Sequence, residues 1–184
     1  MSSSTDIELM DRVRDGDIRQ LGELYTRHHM KLFNFFLRLT GERQSSEDMT
    51  QEVFFRMLKY RHTFRGEGEF SAWMYHLARN VRMDHFRKSK NEALMDGHTE
   101  EMATGEPHPH EQMEKKERSS LVRMALARLP DDKREILILS RYQDLRYDAI
   151  AELLGCSVDA VKVRVHRAVS ELRTIFLELS GEGK

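Results

Sequence analysis

The sequence predicts an all-α protein made of two small helical domains. Three observations carry this expectation. Apolar residues recur at three- and four-residue spacing through most of the 184-residue chain, as in helices with one buried face. Proline is scarce at three residues and aromatics make up only 8%, which argues against a strand-rich sandwich. From residue 91 to 116 the aliphatic pattern lapses into Gly97, Gly105, Pro107, Pro109 and acids, the composition of a flexible acidic linker. The flanking domains are expected at 6–90 and 117–180.

The first domain opens with Ile7, Leu9, Met10 and Val13, one helical stripe that Gly16 should stop. Leu21, Leu24, Tyr25, Leu32, Phe33, Phe36, Leu37 and Leu39 continue the pattern as far as Gly41. Ser45 or Ser46 is expected to cap the next helix, with Val53, Phe54, Met57 and Leu58 inward. Arg65-Gly66-Glu67-Gly68-Glu69 reads as a flexible loop, and a further helix starts at Phe70. In the second domain, Leu121, Val122, Ala125, Leu126 and Leu129 form one stripe. Asp131 or Asp132 should cap a helix carrying Ile136, Leu137 and Leu139.

Leu145 to Leu172 then reads as two short helices around a tight turn. Ile150, Ala151, Leu153 and Leu154 stripe the first helix, and Gly155 offers the left-handed backbone that ends it. Ser157 suits the N-cap of the second, where Val161, Val165, Ala168 and Leu172 repeat at helical spacing. Asp159, Lys162, Val163, His166 and Arg167 fall on the opposite face, with Arg164 at its flank. This is a helix-turn-helix layout, with one side packed and one side basic enough to enter a DNA major groove. An ordinary hairpin with a solvated basic face has the same local pattern.

The formal net charge is −1, but the distribution is uneven. From Arg79 to Lys90, five cations (Arg79, Arg82, Arg87, Lys88, Lys90) face one acid, Asp84; from Asn91 to Glu117, eight acids face two lysines. The basic helix after Phe70 is flanked by aromatics and a glycine-bearing loop, a combination suited to single-stranded DNA. Trp73 there is equally well read as core. Upstream, Asp48, Gln51 and Glu52 share one polar ridge by helical spacing. An acidic ridge would repel DNA, which points to protein docking, although most such ridges are merely solvated.

Three segments, DMTQEVFFRM, FRGEGEFSAWMYHLARNVRMDHFRK and LPDDKREILILSRYQDLRYDAIAELLGCSVDAVKVRVHRA, resemble regions two and four of bacterial RNA polymerase sigma factors. The resemblance is to the extracytoplasmic-function group of the sigma-70 family. It implies a promoter-specificity subunit whose partners are core RNA polymerase, promoter DNA and an anti-sigma factor. It places Asp48, Gln51 and Glu52 on the ridge that docks on the polymerase clamp helices. The loop from Phe64 and Arg65 onward, with Trp73, Arg79, Asn80, Arg82, Arg87 and Lys88, matches the part that recognises and opens the minus-10 element. Lys162, Val163, His166 and Arg167, with Ser157 and Arg164 beside them, match the positions that read minus-35 duplex. The acidic linker matches a segment that threads into the polymerase channels. Val163 stands where the family often has a small hydroxyl residue, and Arg146 replaces a common serine cap. The alternatives are a stand-alone helix-turn-helix regulator and a protein-interaction adaptor.

Other features point to little chemistry. His98, His108 and His110 with Glu111, or His28-His29, could be drawn as metal sites, but none has a fixed ligand spacing. The single cysteine, Cys156, excludes an intramolecular disulfide and is expected as a small buried residue in the turn. No nucleophile–base pair or phosphate loop is evident. No catalysis, cofactor, metal, small-molecule substrate or membrane insertion is expected, and the expected compartment is the cytoplasm.

Overall fold

The computed structural model describes residues 4–96, 113–143 and 145–181. Among them the chain forms eight α-helices, a single 3-10 turn at Arg61–Thr63 and no strand. The helices are α1 (Asp6–Arg14), α2 (Gln20–Thr40), α3 (Arg43–Lys59), α4 (Phe70–Asp96), α5 (Met113–Arg128), α6 (Asp131–Arg141), α7 (Tyr147–Leu154) and α8 (Val158–Ser180). They fall into two compact units, with α1, most of α2, α3 and α4 in the first and α5 to α8 in the second. Helix α4 runs beyond the expected boundary at residue 90, and α5 begins before residue 117. The stretch 97–112 of the expected linker, with His98, His108, His110 and Glu111, lies outside the described residues.

In the first unit, Thr5 and Glu8 start α1 with a reciprocal capping box. The Thr5 hydroxyl accepts from the Glu8 amide at 3.3 Å, and the Thr5 amide donates to the Glu8 carboxylate at 2.9 Å. Leu9, Met10 and Val13 are buried as their spacing predicts. Gly16 follows the helix with φ of 111°, a conformation only glycine adopts freely. Leu24, Leu32, Phe35 and Phe36 of α2 are buried, and Phe35 reaches α4, its ring edge to face with Tyr75 at 5.1 Å. Each such side chain removed from water stabilises the unit by about 1.5–3 kcal/mol.

Ser45 and Ser46 are not caps. Helix α3 begins earlier, after Glu42, and both serines are buried within it. The Ser46 hydroxyl donates back to the Glu42 carbonyl, and Ser45 donates to the Glu42 carboxylate at 2.6 Å. This is the local bonding by which serine enters a helix without leaving its hydroxyl unmet.

In the second unit, α8 is the central strut on which α5, α6 and α7 pack. The cap of α6 also differs from expectation. Pro130 occupies it with no side-chain hydrogen bond, and Asp131 and Asp132 stand in the first turn, where their charge favours the helix dipole. Arg134 is buried, its Nε donating to Leu126 O at 2.8 Å and its Nη2 to Ala127 O at 2.7 Å and Leu129 O at 2.9 Å. A guanidinium thereby satisfies carbonyls that the end of α5 leaves open.

Candidate nucleic-acid interface

The α7–α8 pair is a helix-turn-helix built by local chemistry. Gly155 takes φ of 63°, and its amide and that of Cys156 donate to Glu152 O at 3.2 Å and Ala151 O at 2.9 Å. The Ser157 hydroxyl then accepts from the Ala160 amide at 3.2 Å and starts α8. Arg146 does sit at the N-cap of α7 without a side-chain cap bond; it pairs instead with Asp148 at 3.0 Å. Cys156 is half-buried rather than buried. The second helix is long, not short, extending to Ser180.

Ile150, Ala151, Leu153, Val161, Val165 and Ala168 are buried and hold the pair onto its unit. Ser157, Asp159, Lys162, Val163, Arg164, His166 and Arg167 are all exposed. The two stripes of α8 are therefore fully separated, and Val163 is an apolar element on the outer one, 49% exposed. Lys162 Nζ lies 3.0 Å from Asp159 Oδ1 on that same surface.

The first unit divides its expected site residues differently. Arg65, Asn80, Arg87 and Lys88 are exposed, while Trp73 and Arg79 are half-buried. Phe64 and Arg82 correct the expectation: they are only 4% and 7% exposed and do not face outward. The Phe64 ring meets Trp73 edge to face at 5.1 Å and Phe70 at 6.2 Å, an aromatic cluster that closes the base of the loop. The Arg82 guanidinium lies over the Phe86 ring at 5.0 Å. Trp73 fits both readings: its ring packs against Phe64 and Phe70, yet the residue is only half-buried.

The loop expected to be flexible is tied down at one end. Arg14 Nη1 donates to Phe64 O at 3.3 Å while pairing with Asp11 at 2.7 Å. Gly66 takes φ of +70°, and a Cβ there would sit 3.5 Å from Asp11 Oδ1. Helix α1 thus braces the loop, a long-range contact that loop composition could not reveal.

On α3, Asp48 and Gln51 are exposed and Glu52 is half-buried. Gln44 Nε2 donates to Asp48 at 3.2 Å. Arg56 Nε donates to Glu52 at 2.7 Å and Arg56 Nη1 to Asp84 of α4 at 2.8 Å; Asp84 also pairs with Arg87. Hydrogen bonds from Arg56 and then Arg87 hold the Asp84 carboxyl below its usual range. Asp84 therefore offsets positive charge on the basic helix and links it to the ridge. Phe55, 58% exposed, continues the ridge, and Met83 and Phe86 are exposed on α4. The sequence reading missed these three, although they fall off the buried stripes of their helices.

The His28-His29 pair has ordinary partners. His28 Nε2 meets Asp6 at 2.7 Å, and His29 Nδ1 meets Tyr25 O at 2.8 Å. Among the described residues no group of three or more His, Cys, Asp or Glu could hold a metal ion. No described helix is long and apolar enough to cross a membrane.

Comparisons with known proteins agree with this division. The Sigma-70 region 2 family model matches residues 24–92, and the Sigma-70, region 4 model matches residues 119–172. The ECF RNA polymerase sigma factor EcfG of Rhodopseudomonas palustris is 31% identical over 143 residues, covering 77% of each chain. RNA polymerase sigma factor YlaC of Bacillus subtilis is 29% identical over 160 residues, covering 82% of this chain and 88% of that one. Among solved structures, the sigma factor RpoE of Bartonella quintana, crystallised with the anti-sigma factor NepR, is similar in fold. Its TM-score is 0.72 at 23% identity, with 89% of this chain and 98% of that chain covered.

Proposed function

Since the chain belongs to the extracytoplasmic-function RNA polymerase sigma factors, we propose a division of labour among its surfaces. The exposed face of α8 reads minus-35 duplex. Lys162 and Arg167 donate to base edges, His166 contributes a further polar contact, and Val163 packs on a thymine methyl. Ser157 and Arg164 flank them as phosphate contacts that set register.

Arg65, Trp73, Arg79, Asn80, Arg87 and Lys88 take the opened minus-10 strand. Their cations follow the phosphates, and the half-buried Trp73 offers ring surface to an unstacked base. Phe64 and Arg82 support this site from within. Asp48, Gln51 and Glu52 dock on core RNA polymerase, and the Arg56–Asp84 contact couples that ridge to α4. The domains responsible are 6–90 and 117–180. Strand opening draws on binding free energy alone, and the chain has no catalysis of its own. It works in the cytoplasm, where an anti-sigma protein holds it inactive.

The observation that carries this reading is the complete separation of the buried and basic stripes on α8. The test is transcription by purified core polymerase supplemented with the full chain. Promoters enriched from the genome should yield defined transcripts, and Asp48→Ala should reduce them by weakening docking. No transcript from any enriched promoter would overturn the proposal.

A further inference from the structure

An acid on a surface that approaches DNA needs a physical account. Asp159 is the second residue of α8, highly exposed, on the face that presents Lys162, Val163, His166 and Arg167. Alone, its carboxylate would be repelled by the duplex. It is not alone, because its Oδ1 accepts from Lys162 Nζ at 3.0 Å. The pair carries no net charge and presents a hydrogen-bond acceptor directly beside a donor.

We propose that Asp159 and Lys162 act as one unit that reads a single G·C base pair. The inference rests on α8 being the duplex reader, and it adds Asp159 as a specificity-determining residue. Three arguments support it. The first turns of a recognition helix are the ones that reach base edges. The major-groove edge of G·C offers the cytosine amino group as donor next to guanine O6 and N7 as acceptors. Cytosine N4 and guanine O6 are bonded to each other in the base pair, so they lie at hydrogen-bond separation, matching the 3.0 Å of the Asp159–Lys162 pair.

The carboxylate accepts a hydrogen bond from the cytosine amino group, and the ammonium donates to guanine. An A·T pair offers the same spacing at adenine N6 and thymine O4 but fits less well, because its second acceptor, adenine N7, lies on the far side of the amino group, whereas guanine O6 and N7 adjoin and one ammonium reaches both. The ordinary role of an acid in a first helical turn is to favour the dipole. That role affects folding and carries no base preference.

The test is selection of bound promoters from a library randomised across the upstream element, using core polymerase with the full chain. The wild type should show one strongly preferred G·C position that Asp159→Ala weakens about tenfold while leaving the others intact. Asp159→Asn should shift that position toward adenine, whose N6 and N7 suit an amide. Arg167→Ala serves as the control. If it alters its own position while Asp159→Ala changes none, or weakens all sequences equally, the inference is overturned. If neither variant changes any base preference, the reading of α8 as the duplex reader has failed, and this inference with it.

Discussion

The two units solve the problem of combining packing with recognition in different ways. On α8 the residues that hold the helix and those that face outward form two stripes with no shared member. On α4 and its loop they are mixed: Arg65 and Asn80 are exposed, Trp73 and Arg79 are half-buried, and Phe64 and Arg82 are inside. The difference follows from the targets proposed for them. A duplex groove accepts a protruding helix face, whereas an unstacked base needs a shaped surface built from groups that are themselves packed. Mutations should therefore separate folding from binding cleanly in the second unit and poorly in the first.

The largest effect expected from this contrast is at Phe64. Phe64→Ala removes a ring from a buried aromatic cluster and should destabilise the first unit by about 3–5 kcal/mol. Loss of promoter opening would follow from loss of structure. Lys162→Ala or His166→Ala should leave thermal stability within about 0.5 kcal/mol while weakening upstream binding by about 1–3 kcal/mol. Thermal denaturation alongside duplex binding checks both halves. A stable Phe64→Ala protein with a selective defect in opening would mean that Phe64 acts at the surface after all.

That asymmetry also explains what could be read from the sequence. The helix-turn-helix was legible in its turn, its cap and its two stripes, because Gly155, Ser157 and the stripes are local signals, while the length of α8 and the half-exposure of Cys156 were not. Phe64 looked like a loop aromatic because nothing nearby in sequence shows that Trp73 and Phe70 cover it. Arg82 looked like another cation of a basic stripe, yet it lies on the inward side of α4 over Phe86. Ser45 and Ser46 resembled caps because the same hydroxyl can bond forward from a cap or backward within a helix. The brace from Arg14 to Phe64 O spans 50 residues and has no local signature.

Arg167 sharpens the comparison from the exposed side. Arg167→Ala should cost about 1–3 kcal/mol of discrimination at one upstream base pair, with no change in melting temperature. Competition binding against single-base variants of the upstream element reads this directly. A uniform loss across all variants would reassign Arg167 to the phosphate backbone.

Gly66 and Gly155 provide a matched pair between the units. Both hold left-handed backbone, at φ of 70° and 63°, and neither has a neighbour that a methyl group would strike. Each change to alanine should therefore cost about 1 kcal/mol through backbone strain alone. Their functional consequences should differ. Gly66→Ala should slow promoter opening with upstream affinity intact, and Gly155→Ala should do the reverse. Permanganate footprinting of opened DNA and duplex binding distinguish the two outcomes.

The smallest expected effect is a pH dependence confined to the first unit. His28 is buried, and burial lowers its pKa below the ordinary value of 6.5; Asp6 works in the opposite direction, while Lys31 and Arg27 add to the lowering. Its Nδ1 is buried without a hydrogen-bond partner, so protonation there would leave a new N–H unmet. Because the folded form takes up a proton less readily than the unfolded chain, acid favours unfolding. The stability is full above about pH 6.5 and declines as the pH falls below it. His28→Gln keeps a donor toward Asp6 but cannot titrate, so it should lower stability at neutral pH and flatten this decline. Melting curves of both proteins between about pH 7.5 and 5.5 decide the matter. Parallel decline in the two would assign the acid sensitivity to another group. A flattened curve would locate it at the contact where α2 meets the start of α1, the same helix that braces the loop through Arg14.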